Sequence, residues 1–272
     1  MQFRHIEPNF LLKKHIEKMW YFESSGKMPD DDMKLVVPNG NIKLTISYQN
    51  GIVAAINGRT FVSKENDITL TGLVDVPVII DVDKDDTTET IGIEFSPQGA
   101  YRFFHFKLND IQNQIYSLSD LLGTIGKKLT EQISNATSAQ QKIVLLQQFL
   151  LKQLSLQHED LIFEYCIEKI TGSKGRISVK ELERKTGYSS RWLNMKFNDK
   201  LGVSPKNLSS IMRFKQYYQT FINASEKSFF KNDFYEVYYD QSHFIKDFRR
   251  FTGLPPTKFE KQTNNFGKNY YR

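Results

Sequence analysis

The side chains best placed to do chemistry in this sequence lie late in the chain, and that chemistry is hydrogen bonding to an outside partner. Between Ser189 and Leu201 the apolar residues Leu193, Phe197 and Leu201 recur at i, i+4 and i+8, which predicts a helix with one buried face. Its other face carries Arg191, Asn194, Met195 and Asn198. The pattern returns 51 residues later. Phe197-x4-Gly202-x2-Pro205 reappears as Phe248-x4-Gly253-x2-Pro256, and Leu193 as Phe244, while the outer positions become Ser242, Ile245, Lys246 and Arg249. A guanidinium fits guanine bidentately and a carboxamide fits adenine. Arg191 and Asn194 are therefore the base-reading candidates of the first segment, with Gln241, Ser242 and Lys246 their counterparts in the second. Ser189, Lys196, Lys206 and Arg249 suit phosphate contacts or plain surface.

Bond-making chemistry finds little support. The histidines are His5, His15, His105, His158 and His243, scattered and without a His-x-His pair, so a cupin-type metal set is not expected. The single cysteine, Cys166, excludes an internal disulfide and reads as core within an apolar helical run. His105, inside FFHFKL, reads as a packed histidine. The three aspartates at 30–32 lack a glycine-spaced ligand ladder and read as a solvated loop from Gly26 to Asp32. No nucleophile elbow, phosphate loop or dinucleotide fingerprint occurs, so neither an enzyme nor a cofactor is expected.

Two helix-turn-helix units can present the candidate side chains. In the first, Ser178-x-x-Glu181 is a capping box, Gly187 supplies the turn and Ser189 caps the second helix. In the second, Asp240 is the cap, and Phe244, Phe248 and Phe251 form the inner stripe. Between the units, Ser204-Pro205 starts a helix whose apolar residues Leu208, Ile211, Met212, Tyr218, Phe221 and Ile222 run to about Asn223. A rod of this length, ~27 Å at ~1.5 Å per residue, can hold two readers near one turn of DNA apart, ~34 Å.

This stretch resembles the DNA-binding domain of AraC-family transcriptional regulators. The resemblance rests on Gly187-Tyr188-Ser189, Gly202-Val203-Ser204-Pro205-Lys206, Arg213, and Asp240-Gln241-Ser242-His243-Phe244 with the repeated glycine–proline spacing, and it covers residues 158–262. It implies a thymine-methyl contact for Ile245 and packing or a backbone contact for His243; Trp192 reads as sealing the helix pair and Arg213 as pairing within the domain. The chain departs from the family at Glu183, where a small residue is usual, and at Met195, where a basic one is common. It departs also at Asn232, Asp233 and Val237, where the second unit normally has an Ile-Ala pair and a glycine; Phe229, Phe230 and Phe234 offer a different packing there. The N-terminal half resembles the cupin-like domain of one AraC subgroup, on Trp20, Pro38-Asn39-Gly40 and Gly92-Ile93-Glu94-Phe95-Ser96-Pro97 with Gly99-Ala100.

Charge divides the chain the same way. From Gly172 onward there are 20 Lys and Arg against 9 Asp and Glu; before it, 17 against 22. A basic half joined to a mildly acidic one suggests double-stranded DNA at one end, although a lysine-rich surface also serves solubility. The expected fold is α+β. Residues 1–156 form a small β barrel or sandwich with helices, residues 157–262 an all-α domain of two helix-turn-helix units joined by a long helix, and 263–272 a mobile tail. Two domains each with its own core fit the length of 272 residues.

Residues 1–22 predict a short helix around Leu12 and Ile16, then a strand at Met19–Phe22. The runs LVVP, NIKLTISY, GIVAAI, RTFV, DITLTGL, VPVIIDV and TIGIEF predict strands. Two leucine-rich helices within 116–156 either pair two copies of the chain or pack on their own β domain. The N-terminus has no signal-peptide pattern and no window is apolar enough to span a membrane, so a cytoplasmic setting is expected. The reading is a DNA-binding regulator, with a small-molecule effector and a homodimer left open. Its rival is a ligand- or protein-binding module whose degenerate second unit no longer reads DNA; Asn232, Asp233 and Val237 favour it.

Overall fold

The computed structural model describes residues 1–156, 158–223, 238 and 240–271. Among the described residues, ten strands make two antiparallel sheets. They are β1 (Gln2–His5), β2 (Ile16–Ser24), β3 (Leu35–Val36), β4 (Ile42–Gln49), β5 (Ile52–Ile56), β6 (Arg59–Val62), β7 (Ile68–Thr71), β8 (Val78–Val82), β9 (Thr88–Phe95) and β10 (Ile115–Ser117). One sheet runs β1-β2-β9-β4-β7-β10 and the other β3-β8-β5-β6. All seven strand runs read from the sequence are present. Asn57 and Gly58, both at positive φ, close the β5–β6 hairpin in the two-residue form expected of Asn-Gly.

The helices are α1 (Leu118–Leu122), α2 (Thr124–Asn135), α3 (Ala139–Leu154), α4 (Leu161–Gly172), α5 (Val179–Thr186), α6 (Ser190–Leu201), α7 (Pro205–Asn223), α8 (Gln241–Thr252), α9 (Pro256–Phe259) and α10 (Asn265–Tyr271). An antiparallel β domain followed by a helical domain is the α+β arrangement expected. None of the described helices is long and apolar enough to cross a membrane.

The two faces of the larger sheet differ in kind. Alternate residues of its central strands, Ile42, Leu44 and Ile46 with Ile91, Ile93 and Phe95, point away from the smaller sheet into a core shared with Leu146, Phe163, Leu208 and Ile211. The residues between them, including Lys43, Thr45, Thr69, Thr71 and Thr90, look inward at the smaller sheet. One continuous apolar cluster thus runs from the sheet through α3 and α4 to the inner stripes of α6, α7 and α8. The expectation of two separate cores is corrected, because the sheet buries its apolar face on the helical half.

The leucine-rich segment forms three helices, since Gly123 separates α1 from α2. Leu118, Leu129, Ile133, Ile143, Leu146 and Leu150 are buried in this chain's own core. The N-terminal helix expected around Leu12 and Ile16 shrinks to a 3-10 turn at Phe10–Leu12, stapled by the Leu11 amide donating to Asn9 Oδ1, while Ile16 opens β2.

Three further expectations are corrected. The tail expected to lack a core pattern is packed: α10 lies on β1 and β3 with Phe266, Gly267 and Tyr270 buried. Asp32 is not a solvated loop residue. It is buried, and its carboxylate accepts the Asn265 and Phe266 amides at 2.9 and 3.1 Å, capping α10. His105 is exposed, and the packed histidine is His15, edge-on to Phe103 at 5.7 Å. Asp32→Ala leaves the first amides of α10 without their acceptor, a loss of about 0.5–2 kcal/mol for a capping side chain. The expected result is faster amide exchange at 265–270 with the sheet amides unchanged; equal exchange throughout would show that the cap does not hold the helix.

Candidate nucleic-acid interface and sheet cavity

The first unit is held open by its caps. Ser178 Oγ accepts the Glu181 amide at 3.1 Å, Gly187 stops α5 in the left-handed region, and Ser189 Oγ accepts the Trp192 amide at 3.3 Å. Glu183, the departure from the family pattern, has a role here: its carboxylate accepts the Ser190 amide in the first turn of α6. Leu193, Phe197 and Leu201 are fully buried, which turns Arg191 and Met195 to solvent and leaves Asn194 and Asn198 half-buried. Trp192 stacks on Tyr188 at 4.0 Å and packs on the core, as a sealing residue should.

Lys196 is turned inward, donating to Asp160 Oδ2 at 2.8 Å over the Trp192 ring. Asp160 also caps α4, and the Lys196 hydrogen bond, the Phe163 amide and nearby Lys200 hold its carboxyl low against burial, the largest influence on it and an opposing one. Lys206 is exposed at the start of α7.

The second unit repeats the device. Asp240 Oδ1 accepts the His243 amide at 2.8 Å, so the two helix caps, Ser189 and Asp240, stand at the same 51-residue offset as the glycines and prolines. Gly202 and Gly253 end the two helices at φ 92° and 77°, a conformation a side chain would strain. Phe244, Phe248 and Phe251 are fully buried, and Gln241, Ser242, Ile245, Lys246 and Arg249 are all exposed. His243 lies edge-on to Tyr238 at 5.6 Å, with Nε2 3.6 Å from buried Asp247. Arg213 donates to the Gly175 carbonyl at 2.6 Å and to Ser210 Oγ at 2.9 Å, the internal pairing expected. Asn232, Asp233, Val237, Phe229, Phe230 and Phe234 lie outside the described residues.

A link between the halves is absent from the sequence reading. Asp75, on the loop between β7 and β8, accepts from Asn207 Nδ2 at 2.6 Å and from Arg250 Nη2, and Arg250 also donates to Asn207 Oδ1 at 2.9 Å. Asn113 Nδ2 holds the other Asp75 oxygen at 2.7 Å. One buried carboxylate thus ties the start of α7 and the outer side of α8 to the β domain. No sequence signal pairs residues 175 positions apart.

The second candidate site is a cavity of about 90 Å³ between the sheets. Its walls are apolar on the smaller sheet (Val36, Ala54, Val78, Ile80), while the larger sheet sets Phe3, Trp20, Phe22 and Ile115 beside Lys43 and four threonines. Trp20 fits against Gly92, where a Cβ would lie 2.1 Å from the indole. Burial pushes the Lys43 ammonium below its usual range, with Glu94 opposing. Glu94 itself is held by Asn39 Nδ2 at 2.6 Å and Asn41 Nδ2 at 3.2 Å.

No curated protein matches the chain. Residues 4–117 match the family model described as a domain of unknown function, DUF6597. Among solved structures, ToxT from Vibrio cholerae is similar at 11% identity and a TM-score of 0.48, over 89% of this chain and 98% of its own. ToxT from strain SCE256 bound to an unsaturated fatty acid is similar at 12% identity and a TM-score of 0.44, over 89% and 95%. The cupin domain of Schizosaccharomyces pombe Cnp3 aligns at 13% identity and a TM-score of 0.27, over 35% and 63%.

Proposed function

We propose that this protein is a DNA-binding transcription regulator of the AraC type, with α6 and α8 reading successive major-groove segments and the sheet cavity receiving a small-molecule effector. The observation that carries the reading is the repeated presentation. Two capped helices 51 residues apart each bury an apolar stripe and turn polar donors outward, which is the arrangement major-groove readers use. Arg191 is the leading base reader because it is exposed in the first turn of α6, where recognition helices meet base edges. Lys206 and Arg249 flank the readers as phosphate contacts, whereas Lys196 serves the Asp160 pair.

The test is selection of the full chain against a genomic DNA-fragment pool at two salt concentrations, with Arg191→Ala beside it. The expected result is selective enrichment for the native chain, weakening as salt rises, and a loss of about 1–3 kcal/mol in discrimination at the position Arg191 reads. Weak binding without enrichment, unchanged in the variant, would leave the basic face as electrostatics alone and favour a ligand- or protein-binding module.

A further inference from the structure

The cavity is closed by the chain's own C-terminus, and what closes it has the chemistry of a ligand. Phe266 and Tyr270, one turn apart on α10, both line the cavity. Phe266 meets Phe22 at 5.7 Å, and Tyr270 meets Trp20 at 5.9 Å. The Tyr270 ring centroid lies 5.5 Å from Lys43 Nζ and 5.6 Å from Lys18 Nζ, and its backbone carbonyl oxygen accepts from Lys18 at 2.6 Å. One residue thus offers an aromatic face and a partly negative oxygen to two lysines.

The site is not saturated by that occupant. Among the described residues the buried Trp20 Nε1 and Thr90 Oγ1 have no hydrogen-bond partner. Glu94 and Glu17 act on both lysines, and Glu17 is itself paired with Lys215 at 2.5 Å, so three cations face two carboxylates. With α10 seated, the remaining 90 Å³ is far below the roughly 300–1,000 Å³ of ordinary ligand pockets. A ligand of common size must take the place of the aromatic side chains.

We propose that α10 is an internal occupant of the cavity, competing with an aryl carboxylate whose ring replaces Tyr270 and whose carboxylate meets Lys18 and Lys43. This rests on reading the β domain as an effector domain. Displacement reaches the readers through short connections. Tyr271 packs on Tyr218 of α7 at 5.3 Å, and Asn264 joins Leu35 of β3 to the Tyr218 hydroxyl. Phe259 of α9, just before α10, packs on Phe248 of α8 at 5.4 Å. A ligand that binds only when α10 is out shifts the chain toward the state without these ties.

The test is calorimetric titration of the full chain with 2-naphthoate. F266A/Y270A is expected to bind one equivalent at least tenfold more tightly than the native chain. Adding Lys43→Met is expected to cost tenfold or more, and a synthetic peptide of residues 263–271 is expected to displace the probe. Equal affinity in native and variant chains that both unfold cooperatively would overturn the proposal, as would failure of the peptide to compete. If the double variant does not fold, Tyr270→Leu alone carries the same comparison. DNA selection by the same proteins is scored separately: its absence in all of them removes the DNA reading and leaves the naphthoate result standing.

Discussion

Phe163→Ala is expected to lower the stability of the whole chain by about 3–5 kcal/mol, in a single transition. Phe163 is fully buried in α4, edge-on to Tyr101 at 5.2 Å and to Phe197 at 5.1 Å. Tyr101 belongs to the turn that follows β9, and Phe197 to the inner stripe of α6, so this ring joins the two halves of the molecule. The polar contacts around it cross the same seam. Tyr101 donates to Glu164 at 2.6 Å and accepts the Asp160 amide at 2.9 Å, while Lys14 reaches Glu159 at 2.7 Å. A cavity there is walled from both sides, and neither half can close it by relaxing alone. Urea unfolding followed by helical ellipticity and by Trp20 emission, in a Trp192→Phe background, should give coincident curves shifted together by the mutation. Loss of helix before any change at Trp20 would mean that the halves are independently stable and that the continuous core does not couple them.

The two helix-turn-helix units were legible in the sequence because their signals are local. Caps, inner stripes and stop glycines lie within a turn or two of one another, and the 51-residue offset doubles each of them. What was illegible is long-range. Asp75 and Arg250 meet only because α8 folds back on the β7–β8 loop. Lys196 looks like any exposed helix lysine until α4 brings Asp160 beneath it. Glu183 breaks the family pattern in sequence, yet in three dimensions it takes over the first amide of α6.

The β strands were legible as alternation, but alternation alone cannot say which face is the core. In β4 and β9 the apolar face looks outward to the helices, and the Lys- and Thr-bearing face lines the cavity. The tail carried a faint signal, Phe266 and Tyr270 at i and i+4, too short to predict a helix because seven residues are not stable without tertiary contacts. Asp32 and the aromatic clasp of Phe3, Trp20 and Phe22 supply those contacts.

Acid is expected to loosen the same seam through His15. The residue is 3% exposed with its ring edge-on to Phe103, and burial first, then Arg102 and Lys14, press its pKa from 6.5 down to about 4; Glu164 and Glu159 oppose this. The unfolded chain therefore binds a proton that the folded chain refuses throughout the window between those values. Stability from this residue is complete above pH 6.5 and disappears as pH falls to about 4, a loss of ~3 kcal/mol at 1.36 kcal/mol per pKa unit. Carboxylates titrate over part of the same range, so the decisive quantity is the difference between the native chain and His15→Gln. Urea unfolding at pH 7 and at pH 4.5 should show the native chain losing more stability than the variant, with most of the gap opening below pH 6. Parallel losses would mean that water reaches the imidazole and that the seam around His15 is not dry. The neighbours extend this to α6, because Arg102 and Lys14 share Glu159, the residue before the Asp160 cap that anchors Lys196 of α6. A proton forced onto His15 repels both cations from that carboxylate, so acid should weaken the attachment of α6 to the β domain along with the stability of the whole chain.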